Sequence, residues 1–505
     1  MMTNKIELKK KNIKKIKFIL NMISFSNSLK YSRHAVFSPD SNYFAISKGV
    51  DILIYSLSTM KQIQKHSFCD FVENIQWSND SELILIGLYK RDLCEIRNIK
   101  KPKWICRIDE GLAGMNYARF SPDSRHVLTV CHYNVKLTIW SLIDKTTFII
   151  SMPKFSNKGI SFTSNGNFMA LAEVKDANDI IGIYVLQNNW NLLNKFECSS
   201  EDLQDLIWSF DNSSILIIDT IDLCKVLIYT PTGDLINIIE PYQFQLGIKN
   251  LKLSPNGRYI CLGCYDKSLK IYNSISFTNT IEFEHKNILN NDNVNYFQEV
   301  DIPNTDNKTK FINIQPPIKL ENIIPSFSDE NPLMGVKRFQ FSYDSNFIAS
   351  ITDDINNTIF IWDLFNLNLH TVIIQKYKIS DFNWSPKQHL LFICTDNSKI
   401  YCFKLDSIEV IELPNDFINN YITFSNNGLK MIMKSLNNFI IADIKNMNEN
   451  YYDLGESKQN DNNELLDSDN KARSITNIGK EDNVEIPKDN PLGFAFEEPM
   501  QGNDF

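Results

Sequence analysis

Along most of the chain, short apolar runs alternate with polar turns. The clearest pair of runs is Phe347-Ile348-Ala349-Ser350-Ile351 and Thr358-Ile359-Phe360-Ile361-Trp362. The turn Phe341-Ser342-Tyr343-Asp344-Ser345 leads into the first, and Asp353, Asp354, Asn356 and Asn357 lie between the two. A Trp-Asp pair, Trp362-Asp363, closes the unit. Apolar runs of this length, rich in β-branched and aromatic residues and bounded by Asp, Asn and Ser, predict strands.

The opening turn recurs. Its copies begin at Phe37, Trp77, Phe120, Phe162, Trp208, Leu253, Phe341, Trp384 and Phe424, at intervals of 40, 43, 42, 46, 45, 88, 43 and 40 residues. A second strand follows each turn, and then a third ending near an aromatic, as at Ile54-Tyr55, Ile139-Trp140, Ile183-Tyr184, Ile228-Tyr229, Ile271-Tyr272 and Tyr401-Cys402-Phe403. A period near forty residues is the spacing of four-stranded propeller blades. Blades need nearly continuous Ile, Leu, Val and Phe because neighbours cover both faces of each sheet. The predicted fold is all-β: a WD40-type β-propeller with about nine repeat units, closed as a single ring of eight or nine blades. A seven-bladed ring with extra blades packed beside it is the alternative. The double interval holds either a degenerate unit or a long insertion.

The chain then divides into a basic extension (1–22), units one to six (23–284), an Asn/Pro-rich insertion (285–334), units seven to nine (335–445) and an acidic tail (446–505). The two ends are expected to be disordered and the insertion mobile. A strand near Ser24 to Leu29 is expected to complete the last blade, built from 417–444, because a closed ring must remove its free sheet edges.

Charge narrows the function. The formal net charge is −8 over 505 residues, but the first 17 residues carry seven lysines against one glutamate, and the tail from Asp453 carries 13 acidic against 5 basic residues. The body between them is only mildly acidic, so nucleic acid is not an expected partner. In the basic arm, Ile6, Ile13, Ile16 and Leu20 could share one face of a short helix. The ten cysteines are scattered, which predicts reduced, buried thiols as in cytosolic or nuclear proteins. Cys261 and Cys264 alone are close, and residues three apart on a strand point to opposite faces, so no shared metal is expected. No apolar run reaches bilayer-spanning length.

A nucleophile elbow, a phosphate-binding glycine loop, a His-Glu-x-x-His pair and a dinucleotide fingerprint are all missing, and the seven histidines are dispersed. The reading is a non-enzymatic scaffold with no cofactor, metal or small-molecule substrate, presenting rigid loops to protein partners.

Certain residues are not required by the repeat. They are Tyr89-Lys90-Arg91, Trp104 with Cys106, Ile108-Asp109-Glu110-Gly111 followed by Gly114, Gly159-Ile160-Ser161-Phe162, Met169-Ala170-Leu171-Ala172-Glu173, Leu246-Gly247-Ile248-Lys249, Tyr265-Asp266, and Asn331-Pro332 with Gly335. Over about residues 24–445 the chain resembles the family of WD-repeat protein eight, also called WD repeat-containing protein WRAP seventy-three. The resemblance implies a cytoplasmic, cytoskeletal scaffold at the centrosome, spindle pole or an equivalent microtubule-organising centre. It implies a coiled-coil spindle-pole anchoring protein and a minus-end-directed kinesin as partners, with microtubules engaged indirectly in mitotic spindle assembly. It brings no catalytic residues. The family-specific loops supply the candidate protein contacts: Lys90, Arg91, Trp104, Asp109, Glu110, Gly111, Gly247, Lys249, Tyr265 and Asp266. The competing reading is a cytosolic scaffold associated with RNA or the translation machinery, using the N-terminal lysines on phosphates, with binding that falls steeply with salt.

Overall fold

The computed structural model describes residues 23–444 except 27, 32, 188, 243–245, 304–307, 325–333, 406 and 415–416. The expected disorder of the basic arm and acidic tail lies outside the described residues.

The first full meander pairs Ala35–Phe37, Tyr43–Lys48, Asp51–Ser56 and Gln62–Ser67 in chain order, all antiparallel. Eight further sheets of four or more strands follow around the ring, so the propeller has nine blades and the seven-bladed alternative is excluded. Middle strands are the most deeply buried, as in Leu83–Leu88 and Thr358–Asp363, where all six residues are covered. The fourth strands, such as Gln62–Ser67, are largely exposed and form the rim. First strands of adjacent blades touch one another, which makes them the innermost and sets them around the central channel.

The core is a set of slabs between blades. Ala45, Ile52 and Ile54 of blade one pack on Ile75, Trp77 and Ile84 of blade two. Phe44 and Ile46 of blade one pack on Ile432, Phe439 and Ile441 of blade nine, closing the ring.

The recurring turn has a local and a lateral task. Ser38 Oγ donates to Asp40 Oδ1 at 2.5 Å and accepts the Tyr43 N–H at 2.9 Å, pinning the hairpin. The fifth residue adopts positive φ, and its hydroxyl accepts a backbone N–H from the preceding blade: Asp40 to Ser81 at 3.0 Å, Asp80 to Ser124 at 3.2 Å, Asn256 to Ser345 at 3.1 Å.

The strand expected to complete the last blade does so. Ile23–Phe25 and Leu29–Lys30 both pair antiparallel with Asn438–Ile444.

For the described residues of the insertion, the expectation of mobility is corrected. Asn295–Asp301 lies parallel to Asn368–Ile374, the outer strand of blade seven, and Thr309–Asn313 pairs antiparallel with it, making a six-stranded sheet. The Asn-rich composition hid buried positions on both faces of the first of these strands: Tyr296 and Glu299 are buried while Gln298 and Asp301 face solvent. Phe297 and Phe311 pack against the core shared by blades seven and eight. Glu299 accepts the Tyr401 hydroxyl of blade eight at 2.7 Å.

A candidate partner-binding face

In a ring of meanders, the loops joining second to third strands and those joining one blade to the next emerge on the same face. All the sequence-selected residues except Trp104 belong to that face. Trp104 precedes the strand Ile105–Asp109 on the opposite side and packs partly buried on the core between blades two and three. The nine facial residues fall into two groups nearly across the ring from each other.

The first group lies on blades two and three. Tyr89–Arg91 is a single 3-10 turn after Leu83–Leu88. Tyr89 accepts the Ala118 N–H of blade three at 3.0 Å, and burial pushes its phenol up to about 12. Anchored this way, the turn holds Lys90 at the surface, and Arg91 lies 3.3 Å from Asp70. Asp109 Oδ1 accepts the Gly111 N–H at 2.7 Å, and Gly111 takes φ 63°.

Glu110 does not reach the surface. It is buried, accepts from Thr129 Oγ1 and from Trp140 Nε1 at 3.3 Å, and lies 2.5 Å from Lys136. Blade seven has the corresponding arrangement with a histidine: Trp362 Nε1 donates to Ser350 Oγ at 2.8 Å, and Ser350 Oγ lies 2.7 Å from His285 Nε2. His285 Nδ1 is 2.6 Å from the Lys267 carbonyl, so Nδ1 carries the proton and Nε2 accepts. Burial holds this imidazole down to about 4, outweighing the nearby Asp354 and Asp266.

Two residues that sequence reasoning missed stand in the first group. Leu112, inside the Gly111–Ala113 turn, is fully exposed, and Tyr133 is 94% exposed at φ 57°. A large side chain on a left-handed backbone, directed wholly into water, gains nothing from its own fold. The repeat leaves both in loops, where no periodic signal marks exposure.

The second group lies on blades five to seven. Gly247 donates to the Ile221 carbonyl at 2.6 Å, and a Cβ there would meet that oxygen at 2.7 Å, so a backbone contact dictates its identity. Lys249 pairs with Asp353, donates to the Met334 carbonyl at 3.2 Å and stands 5.2 Å over the buried Tyr265 ring. Burial, then Asp353, raise the Tyr265 phenol. Asp266 accepts from the backbone and hydroxyl of Ser268, at 2.8 and 2.6 Å, and lies 3.5 Å from Lys270.

The channel wall is polar and ties inner strands together where they splay too far apart for regular pairing. Phe120 N–H donates to Gln76 Oε1 at 3.0 Å, Lys252 Nζ to the Phe339 carbonyl at 2.9 Å and Asn383 Nδ2 to the Ile422 carbonyl at 2.6 Å. Arg338 pairs with Asp381 and donates to Asn383 Oδ1 at 2.9 Å. Cys261 and Cys264 face different cores, as their spacing on one strand predicts. Among the described residues, no helix is long and apolar enough to cross a membrane.

The family model for the WD domain, G-beta repeat, matches residues 240–273, which span the first three strands of blade six. WD repeat-containing protein WRAP73 of Mus musculus is 31% identical over 414 residues, covering 78% of this chain and 89% of that protein. An uncharacterized WD repeat-containing protein of Schizosaccharomyces pombe is 24% identical over 267 residues, 52% of this chain and 54% of its own. Among solved structures, the C-terminal WD40 domain of Sif2 aligns with a TM-score of 0.48 at 11% identity, over 84% of this chain and 99% of that one.

Proposed function

The chain belongs to the family of WD repeat-containing protein WRAP73, and from that premise we propose that it is a non-enzymatic adaptor at spindle poles or an equivalent microtubule-organising centre. In this reading it holds microtubule minus ends through a coiled-coil anchoring protein and a minus-end-directed kinesin, and so supports spindle organisation. The observation that carries the adaptor role is the blade two–three rim. There Leu112 and Tyr133 stand fully exposed beside Lys90 and Arg91, on loops fixed to a rigid ring. An exposed tyrosine with an arginine alongside supplies residue types enriched at protein-binding hot spots.

The test is to follow a fluorescently tagged full-length chain through division beside a tubulin marker. Discrete foci at spindle poles that disperse in a Leu112→Ser, Tyr133→Ser double variant support the reading. Diffuse or ribosome-like cytoplasmic signal in dividing cells overturns it in favour of an RNA-associated scaffold.

A further inference from the structure

Between the inner ends of blades four to seven the ring leaves a cavity of about 470 Å³. Its wall is partly apolar, with Ile207, Ile218, Ile221 and Ile248 lining it, and its rim is cationic, with Lys158, Lys249 and Lys337. Lys337 is half-buried on the inner strand Val336–Phe341 and faces three further cations: the exposed Lys378, and Lys249 and Arg338, the latter paired with Asp381. Asp353, which also faces it, is already paired with Lys249. Among the described residues, Lys337 and Lys378 have no ion-pair partner. Gathering like charges around a half-buried lysine is unfavourable unless something anionic sits between them.

We propose that this cavity binds an extended acidic segment of a partner protein. An apolar side chain enters among the isoleucines, and carboxylates of the same segment meet Lys337, Lys378 and Lys158. A nucleic acid fits the same rim poorly, because the cavity also contains Asp205 and Asp219. Asp219 is fixed by backbone N–H groups of Glu201, Asp202 and Thr220 at 3.1, 3.1 and 2.8 Å, and Asp205 by that of Gly159 at 2.9 Å. Fixed carboxylates repel a continuous phosphate chain, whereas a peptide can place its acidic residues on alternate positions and leave apolar ones between.

The experiment uses the purified full-length chain and fluorescence anisotropy with a short fluorescein-labelled peptide of alternating glutamate and leucine. The expected result is saturable binding that weakens with salt. Affinity should fall roughly tenfold or more in a Lys337→Glu, Lys378→Glu double variant, and also when serine replaces leucine in the peptide. A Lys61→Glu variant, changed at an exposed loop on the other face, should bind as the parent does, and thermal unfolding should show all three rings folded. Absence of peptide binding, equal affinity in the double variant, or binding only to an RNA oligonucleotide overturns the proposal. The assay requires no spindle-pole partner, so its failure and that of the imaging experiment are read separately.

Discussion

The backbone N–H of Asn427, in the ninth blade, donates to Ser41 Oγ, in the first, across 3.2 Å. This is the same bond that joins blade one to two, two to three and six to seven, so the place where the chain begins and ends its circuit is built like other joints. The added element is the N-terminal strand on Asn438–Ile444, where Ser26 N–H donates to the Ile441 carbonyl at 2.8 Å and Tyr31 OH to the Ser435 carbonyl at 2.8 Å. Deleting residues 1–30 would leave that strand as a bare apolar edge. The expected outcome is a lower unfolding temperature and concentration-dependent association in size-exclusion chromatography. Ser41→Ala should elute as the parent does and lose only about 1 kcal/mol.

His285 makes stability depend on pH. Its folded value near 4 lies below the ordinary 6.5, so between those values the unfolded chain binds a proton that the folded chain refuses. Its contribution is complete above pH 6.5 and declines as pH falls towards 4, by up to about 3 kcal/mol. Denaturant midpoints at pH 7.5 and pH 5 should therefore differ less in His285→Asn than in the parent. An unchanged difference would remove His285 as the cause.

Glu299 ties the added strand of blade seven to blade eight. Its carboxylate accepts the Tyr401 hydroxyl at 2.7 Å and the Lys376 N–H at 3.1 Å in a buried setting. Glu299→Leu should cost about 1–3 kcal/mol by leaving the hydroxyl proton of Tyr401 without its acceptor, and Glu299→Gln distinctly less, since an amide oxygen can still accept. Chemical denaturation of the two variants gives the comparison.

Gly335 sits at φ 85°, and a Cβ there would lie 2.5 Å from the Tyr265 Cα and 2.7 Å from the Cys264 carbonyl oxygen. Neither neighbour is a flexible side-chain end, so the backbone itself would have to move. Gly335→Ala should destabilise by about 2 kcal/mol or more, read from its unfolding midpoint.

Charge reversal at Lys90 and Arg91 should separate binding from folding. Arg91 and Asp70 form a largely exposed pair, and Lys90 contributes only its backbone N–H, to Glu73 at 3.1 Å. Exposed pairs are worth little. The Lys90→Glu, Arg91→Glu variant should therefore unfold with the parent in a thermal melt while recovering less partner in pull-downs. Undiminished recovery would exclude these residues from the interface.

Blade identity was legible in the sequence because the turn carries its own chemistry. The side chains of Ser38 and Asp40 act on neighbours within five residues, so their pattern repeats wherever a blade begins. The N-terminal closing strand was legible because a closed ring leaves one edge to be filled. Other features depended on contacts distant in the chain. Glu110 looked like a surface loop residue until Thr129, Trp140 and Lys136 enclosed it, and Gly247 owes its place to the carbonyl of Ile221. The insertion read as mobile because Glu299 has no local use. Its partner Tyr401 lies 102 residues away and meets it only when blades seven and eight are side by side. Local hydrogen bonds and regularly recurring apolar runs thus determined the blades from sequence alone. Their number in one ring, the strands added to blade seven, and the cations gathered at the channel mouth were decided by tertiary packing, which sets charges and edges from separate repeats against one another.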